Sequence, residues 1–390
     1  MKIKSVETLL ANAGIRNYCF LRLTTDNGLT GAGEVSLEWQ EQTVRTLVHE
    51  WLEPRIIGQD PFDIEAVVGG LIRDQYQGGS TVMTAISGAE IAMWDLIGKA
   101  CGQPVFKLLG GRAHRTLGAY ANGWYGGAGK PEQLSALASD VAAQGFAALK
   151  FDPFTVAWKW PGREEVEEAV ERVRAVRAAV GGKVEIVVEI HGRLAFDAAL
   201  DFAQRVAPFR PAFLEEPLVP WSLESLARFK SLSPCPIAGG ERAYMLEDFC
   251  QITERRSVDL LQPDIAHCGG LCLAKKAAAM AQARDIRVAP HVSVGPVALC
   301  AALHFDWSTP NVWLQEDFSH HDVPWRSELV GGWNPLRGGQ FVLPDKPGLG
   351  IEIDDAACGA HPYKAHAFPS LWDARWVDKF TQNETTSSET

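Results

Sequence analysis

Six acidic and imidazole side chains stand at regular intervals along the second half of the chain. Glu189, Glu215, Glu241, Asp264, His291 and Glu316 follow one another at separations of 26, 26, 23, 27 and 25 residues. Each closes a short apolar run, in "VVEIHGR", "FLEEP", "PIAGGE", "LLQPD", "VAPH" and "WLQED". A single glutamate at a strand end is more often merely solvated. Three on consecutive strands, each emerging from apolar sequence, favour a hard oxygen site. Such a site suits Mg²⁺, which takes carboxylates and leaves places for water and substrate oxygens. Asp264 and His291 fall on neighbouring runs. A carboxylate bonded to one ring nitrogen fixes the tautomer and raises the basicity of the other, which makes a general base. A lone histidine is more often satisfied in a core, but here the ordered neighbours argue for chemistry. His191 lies two residues beyond Glu189, on the same side by the period of a strand. Lys150 and Asp152 in "LKFD" share a side in the same way. His191 and His291 would then occupy opposite parts of one rim, one removing a proton while the other donates one.

The elements needed to place these residues are legible. "LGAYANG", "AALKFD", "VEIVVEI", "AFLEEP", "PIAGGE", "VDLLQPD", "IRVAPH" and "VWLQED" read as strands, with helical sequence between most of them. Strands alternating with helices imply a parallel sheet. Eight such units imply a closed α/β barrel of the TIM type, with its site at the C-terminal strand ends. In "REEVEEAVERVRAVRAAVGG", Val166, Val170, Val173 and Val180 share a face and Gly181 marks the stop. Before the barrel, the first 115 residues read as α+β. Asn27-Gly28 is a hairpin dipeptide between two strand-like runs. Val82, Ile86, Ala89, Met93, Leu96 and Ala100 recur at helical spacing, ending at Gly102 and Pro104. Ser87 and Glu90 have capping-box spacing, yet fall inside that periodic run. The expected organisation is residues 1–115, a barrel over 116–335, and a segment 336–380 that returns to the N-terminal unit through a turn and short strand in "PGLGIEID". Residues 381–390 are polar and expected to be disordered.

Composition narrows the class. The 390 residues are 46% hydrophobic, enough for a large core, and the net charge is −11. That charge argues against nucleic-acid binding, and an anionic substrate would need a local cation. No stretch approaches the roughly 20 apolar residues of a membrane span. The start "MKIKSVETLL" lacks a signal-peptide core. A cytoplasmic protein is expected. Cys268 and Cys272 in "CGGLC" have no second Cys/His pair at zinc spacing, so the 8 cysteines are read as packed thiols.

Taken together, these residues resemble the enolase superfamily, in its mandelate racemase and muconate lactonizing enzyme branch. They are most similar to sugar-acid dehydratases of the galactonate and gluconate type. "SGAEIAMWDLIGKACGQPVFKLLGG", "EIHGR", "FLEEP", "AGGER", "LQPDIAHCGG", "APHVSVGP" and "LQED" carry the likeness in order and spacing. The resemblance implies an N-terminal α+β capping domain over a modified TIM barrel, (β/α)7β, with C-terminal residues completing the cap. It implies one Mg²⁺ held by Glu189, Glu215 and Glu241. It implies that His291, paired with Asp264, abstracts the proton α to a carboxylate. Glu316 would bond the substrate carboxylate or its enediolate, and His191 would protonate the departing 3-hydroxyl. A small sugar acid is the implied partner, and a homo-oligomer the implied assembly.

Two positions depart from the pattern. Glu189 stands where the galactonate-type enzymes carry aspartate. Lys150-Phe151-Asp152 replaces the K-x-K of the racemases, which argues against a base on that side and so against racemisation. Lys150 would sit by the substrate carboxylate or the metal carboxylates, or form an internal salt bridge. Arg193 would hold a distal substrate group or pair with a neighbouring acid. Trp39 and Trp124 would stack on the sugar chain or pack the domains together, and Asp152 completes the candidate substrate contacts. The same enediolate would also serve a cycloisomerase acting on an anhydro sugar acid, or an epimerase. A non-catalytic binding protein is the remaining reading.

Overall fold

The computed structural model describes residues 1–126, 128–319, 322–342 and 345–367. The polar tail, residues 381–390, lies outside the described residues.

The chain begins with an antiparallel sheet of β1 (Ile3–Ala13), β2 (Arg16–Thr25) and β3 (Thr30–Glu34). The turn expected at Asn27-Gly28 joins β2 to β3, with Gly28 at φ +85° as a tight hairpin requires. Five helices follow: α1 (Glu41–Leu47), α2 (Glu53–Ile56), α3 (Ile64–Asp74), α4 (Ser80–Cys101) and α5 (Val105–Leu108). The helix α4 ends at Gly102, which is left-handed at φ +64°. It lies directly on β3. A Cβ on Gly31 would come within 2.2 Å of the Ala92 carbonyl oxygen, and one on Gly33 within 2.0 Å of that of Gly88. The alternate glycines of "TGAGE" therefore set the distance between helix and sheet. Burial on α4 extends beyond the one face expected from its periodicity, to Met83, Thr84, Ala85, Ser87, Gly88, Glu90 and Ile91. The helix is sandwiched between β3 and the barrel, so a single apolar stripe would not suffice.

The barrel strands are β4 (Leu117–Ala121), β5 (Ala148–Phe151), β6 (Glu185–Glu189), β7 (Phe213–Glu215), β8 (Ile237–Gly239), β9 (Leu260–Leu261), β10 (Arg287–Val288) and β11 (Gln315–Asp317). Between them lie α6 (Pro131–Ala142), α7 (Arg163–Val180), α8 (Phe196–Val206), α9 (Leu223–Leu232), α10 (Leu246–Glu254), α11 (Leu271–Gln282) and α12 (Pro296–Trp307). The order is (β/α)7β, and all eight runs read as strands are strands. Neighbours pair in parallel from β4 to β10, and β11 closes the ring on β4. A hairpin of β12 (Leu336–Arg337) and β13 (Gln340–Phe341) adds antiparallel to β4. Inside the ring, Tyr120, Ala148, Val187, Phe213, Ala238, Leu260 and Ala289 form a buried layer. Tyr120, Val187, Phe213 and Leu260 are interspersed with three alanines, which fills the barrel without a pore. Two residues further along their strands, Ala148, Val187 and Phe213 give way to Lys150, Glu189 and Glu215. The apolar layer is thus the floor of the polar one.

The segment expected to return to the N-terminal unit from residue 336 first adds its hairpin, β12 and β13, to the barrel, and only beyond it meets the cap. Gly348 bridges Pro104, the Leu349 amide donates to Asp95, and α13 (Asp355–Ala360) packs on β1. The strand expected in "PGLGIEID" reduces to that isolated bridge.

Every residue of α12 is buried, because it touches β3, α5, α11 and β11. The Asp306 carboxylate in its last turn has no hydrogen-bond partner among the described residues, and burial pushes it well above 3.8. A raised acid contributes its full stability below its unfolded-state value and loses it as pH climbs through the folded one. Asp306→Asn should therefore match the wild type near pH 4 and be the more stable protein at pH 8, by a margin set by how far burial raises the acid. Denaturant unfolding at the two pH values reads this difference.

Candidate active site

The polar layer at the C-terminal strand ends is built from the strands upward. Glu189 closes β6 and is in register with Glu215, which closes β7. Glu241 follows β8 by two residues. These three side chains bring one oxygen each within 4.8 Å of one another. Glu189 and Glu215 are buried. One oxygen of each, Oε2, makes no hydrogen bond, although Lys150 Nζ lies 3.0 Å from that of Glu189 in an ion pair. Buried carboxylate oxygens that accept no hydrogen bond, on adjacent strands, match the donor set of a hard divalent cation. Among the described residues, this is the group of His, Cys, Asp or Glu placed to hold a metal; the cysteines of "CGGLC" form no such group.

Glu189 explains its own extra methylene. Its Oε1 turns back to accept the amides of Ile190 (2.9 Å) and His191 (2.7 Å). The longer side chain reaches its own backbone while Oε2 still faces the cluster. Burial alone would raise this carboxyl, but His191 and Lys150 hold it below the ordinary range. Burial and the charge of Glu189 push Glu215 the other way.

His291 and Asp264 are joined twice. Their backbones form a parallel bridge, and His291 Nδ1 lies 2.7 Å from Asp264 Oδ2. The other Asp264 oxygen accepts the Ala266 amide, so the carboxylate cannot swing away. His291 Nε2 lies 3.5 Å from Glu241 Oε2. Burial would lower the imidazole, but Glu241, Glu316 and Asp264 raise it well above 6.5.

A second such pair stands at the other end of the carboxylate row. His191 Nδ1 is 2.8 Å from Asp152 Oδ2. The strand period assumed for Glu189 and His191 stops short: β6 ends at Glu189 and His191 is left-handed at φ +53°. A turn, not strand alternation, aims this ring. The row Glu189, Glu215, Glu241 therefore has a His–Asp pair adjoining each end.

Comparison with known proteins follows the same lines. Residues 3–110 match the mandelate racemase/muconate lactonizing enzyme N-terminal domain, and residues 133–357 the enolase C-terminal domain-like family. The chain belongs to the mandelate racemase and muconate lactonizing enzyme branch of the enolase superfamily. It is 37% identical over 345 residues to a protein named D-galactonate dehydratase from Ralstonia pickettii, covering 87% of this chain and 89% of that one. It is 32% identical over 387 residues to one named D-gluconate dehydratase from Thermoproteus tenax, covering 97% and 78%. The structure of a mandelate racemase/muconate lactonizing enzyme-like protein from Roseovarius sp. superposes with a TM-score of 0.89 at 30% identity, over 94% of this chain and 97% of that one.

Within this mandelate racemase-type site the remaining residues sort themselves. Lys150 is buried at the centre, with Nζ 3.0 Å from Glu189, 2.5 Å from Glu215 and 3.1 Å from Glu316. Of the alternatives for it, contact with the candidate metal carboxylates and an internal ion pair are the same arrangement. Burial would lower its ammonium, but Glu215, Glu316 and Glu189 raise it. Glu316 on β11 is fixed by the Asn122 amide at 2.8 Å and the Val292 N–H at 2.9 Å. Arg193 is fully buried and pairs with Asp152, the neighbouring-acid alternative. Trp124 is buried, donates to the Lys150 carbonyl at 2.7 Å and packs on Phe151, so its role is packing. Trp39 stands at the mouth. A cavity of about 370 Å³ is lined by Trp39, Tyr244, Glu241, Asp264 and His291. Trp39 is held there at φ +62° with its indole N–H on the Ile15 carbonyl.

Sequence reasoning missed the partner of Glu216. This buried residue pairs with Arg242, and burial together with Glu241 pushes it up to about 8. The signal lay in "FLEEP" and "GGER", whose second glutamate and arginine directly follow Glu215 and Glu241. Asn122 gave no signal, being one polar residue directly after β4.

Proposed function

We propose that this chain is a Mg²⁺-dependent sugar-acid dehydratase. It would convert an aldonate or aldarate to its 2-keto-3-deoxy acid. Its relatives at 37% and 32% identity carry dehydratase names, and the chain is a hydro-lyase of the same family. The observation that carries the mechanism is the carboxylate row with a His–Asp pair adjoining each end. One pair suits proton removal and the other suits proton delivery.

Glu189, Glu215 and Glu241 would hold the ion. When bound, Mg²⁺ neutralises the charge that develops as the proton α to a carboxylate is removed. That enolase-superfamily sites join a Lys or His base to such ions is an established pattern. His291 Nε2 takes the C2 proton, with Asp264 fixing the tautomer. Glu316 and Lys150 border the substrate carboxylate. The C2–H electron pair passes to the carboxylate as an enediolate, then returns to form C2=C3 as the C3–O bond breaks. His191 supplies the proton with which hydroxide leaves as water. The resulting enol ketonises at C2 and takes one solvent proton at C3. Trp39 closes the mouth over the distal carbons.

Acids outnumber bases in this layer, so an anionic substrate would be repelled from the empty row. Removal of divalent cations should therefore abolish turnover, and Mg²⁺ should restore it. Mg²⁺ should also raise Tm, because it binds only the folded row. Glu215→Gln should lose that Tm shift. A wild-type Tm and turnover indifferent to chelation would remove the metal from the reading. The substrate class is tested by incubating the protein with Mg²⁺ and a panel of aldonates, aldarates and anhydro-aldonates. Loss of water from one acid supports the dehydratase; conversion without change of mass points to a cycloisomerase or epimerase.

A further inference from the structure

Two buried carboxylates of the capping domain do work on the barrel that the mechanism above does not use. Glu34 ends β3, and its Oε1 accepts the Gly295 amide at 2.5 Å. Its Oε2 accepts the amides of Val297 at 3.1 Å and Ala298 at 2.9 Å. Those are the first-turn donors of α12. Glu90 lies inside α4, and its two oxygens accept the amides of Leu271 and Cys272, each at 2.8 Å. Those are the first-turn donors of α11. Neither barrel helix has a side-chain cap of its own, since the residues at their starts are Gly295 and Gly270. A carboxylate at a helix N-terminus satisfies orphan donors and meets the positive end of the dipole. Here both caps come from another domain.

The two helices are not an arbitrary choice among seven. Gly295 stands four residues after His291, and Gly270 six after Asp264. The cap grips the intervening loops as well. The Ser87 hydroxyl accepts the Gly269 amide at 2.8 Å, and His267 Nε2 lies 3.1 Å from the Ser36 carbonyl oxygen. The Ser36 hydroxyl in turn donates to Glu34 Oε1 at 2.7 Å. Glycine is also required at the seats themselves. A Cβ on Gly295 would fall 2.3 Å from Glu34 Oε1, and one on Gly270 2.0 Å from Glu90 Oε2.

We propose that Glu34 and Glu90 are positioning residues, which cap in trans the two helices leading away from His291 and Asp264 and so hold that pair in register. The capping domain then does more than cover the barrel mouth: it anchors the base. This rests on the role of His291 proposed above.

The test uses the full-length enzyme with Mg²⁺ and approaches the contact from both sides. Gly295→Ala is suited to it, because Gly295 has φ −81° and ψ −175°, which alanine adopts freely. The three atoms nearest such a Cβ all belong to the Glu34 carboxylate. Both E34Q and G295A should lower kcat by about ten-fold or more with little change in KM, as misplacement of a reacting group does. Amide hydrogen exchange should quicken over residues 291–298 and not across the chain. In an E34A background, G295A should add nothing, because the clash is gone. Additive effects in that cycle, or exchange quickened uniformly, would overturn the proposal and leave a general structural role. An unchanged kcat in both single variants would overturn it too. If the wild type turns over no sugar acid, the dehydratase reading falls, and local exchange together with the E34A/G295A stability cycle still decides whether the trans cap controls the His291 loop.

Discussion

His291→Asn should remove both turnover and exchange of the substrate C2 proton with solvent. Loss of a positioned general base costs up to about 10⁴-fold. The asparagine keeps a group near Asp264 but has no nitrogen that can accept a proton. In D₂O, substrate recovered from the wild type should carry deuterium at C2 to the extent that abstraction reverses, and substrate recovered from the variant should carry none. Substantial exchange in the variant would mean that another group takes the proton. Lys150 is a poor candidate, since three carboxylates hold it as an ammonium.

His191→Asn should separate the two halves of the reaction. The proton at C2 would still be removed, because His291 and Asp264 are untouched. Departure of hydroxide without its acid should slow by about 10²–10⁴-fold. Exchange at C2 should persist while water loss fails. If exchange and elimination fell together, His191 would be holding the substrate or the metal site and not acting at C3. Its backbone amide gives that alternative a physical basis, since it donates to Glu189 Oε1. The asparagine variant preserves that amide, which is why it is the right substitution.

Much of the layer that carries these residues was legible beforehand. Strand ends could be read because acids interrupt apolar runs at intervals of one βα unit, and a closed barrel maps such intervals onto one rim. Asp264 and His291 are neighbours because their strands are neighbours. What escaped were contacts that local pattern does not encode. Ser87 and Glu90 have the spacing of a capping box, and both do make capping-type bonds, but to a helix start some 180 residues away. A sequence window sees the spacing and not the partner. Strand alternation predicts the side of His191, yet β6 ends at Glu189 and a left-handed residue aims the ring. Trp124 lies in a loop that appeared open to the rim, whereas the Lys150 carbonyl draws it into the wall. Glu216 and Arg242 follow Glu215 and Glu241 by one residue, and only the folded β7 and β8 ends bring them together.

The central claim is that proton removal at C2 leads to loss of the 3-hydroxyl. The most direct test incubates the wild type and Mg²⁺ in D₂O with D-galactonate and D-gluconate among the panel, and reads the product by mass spectrometry and NMR. The account predicts a product lighter than its substrate by one water, with one solvent deuterium at C3. A product of unchanged mass, or deuterium at C2 with no elimination from any acid, would contradict it.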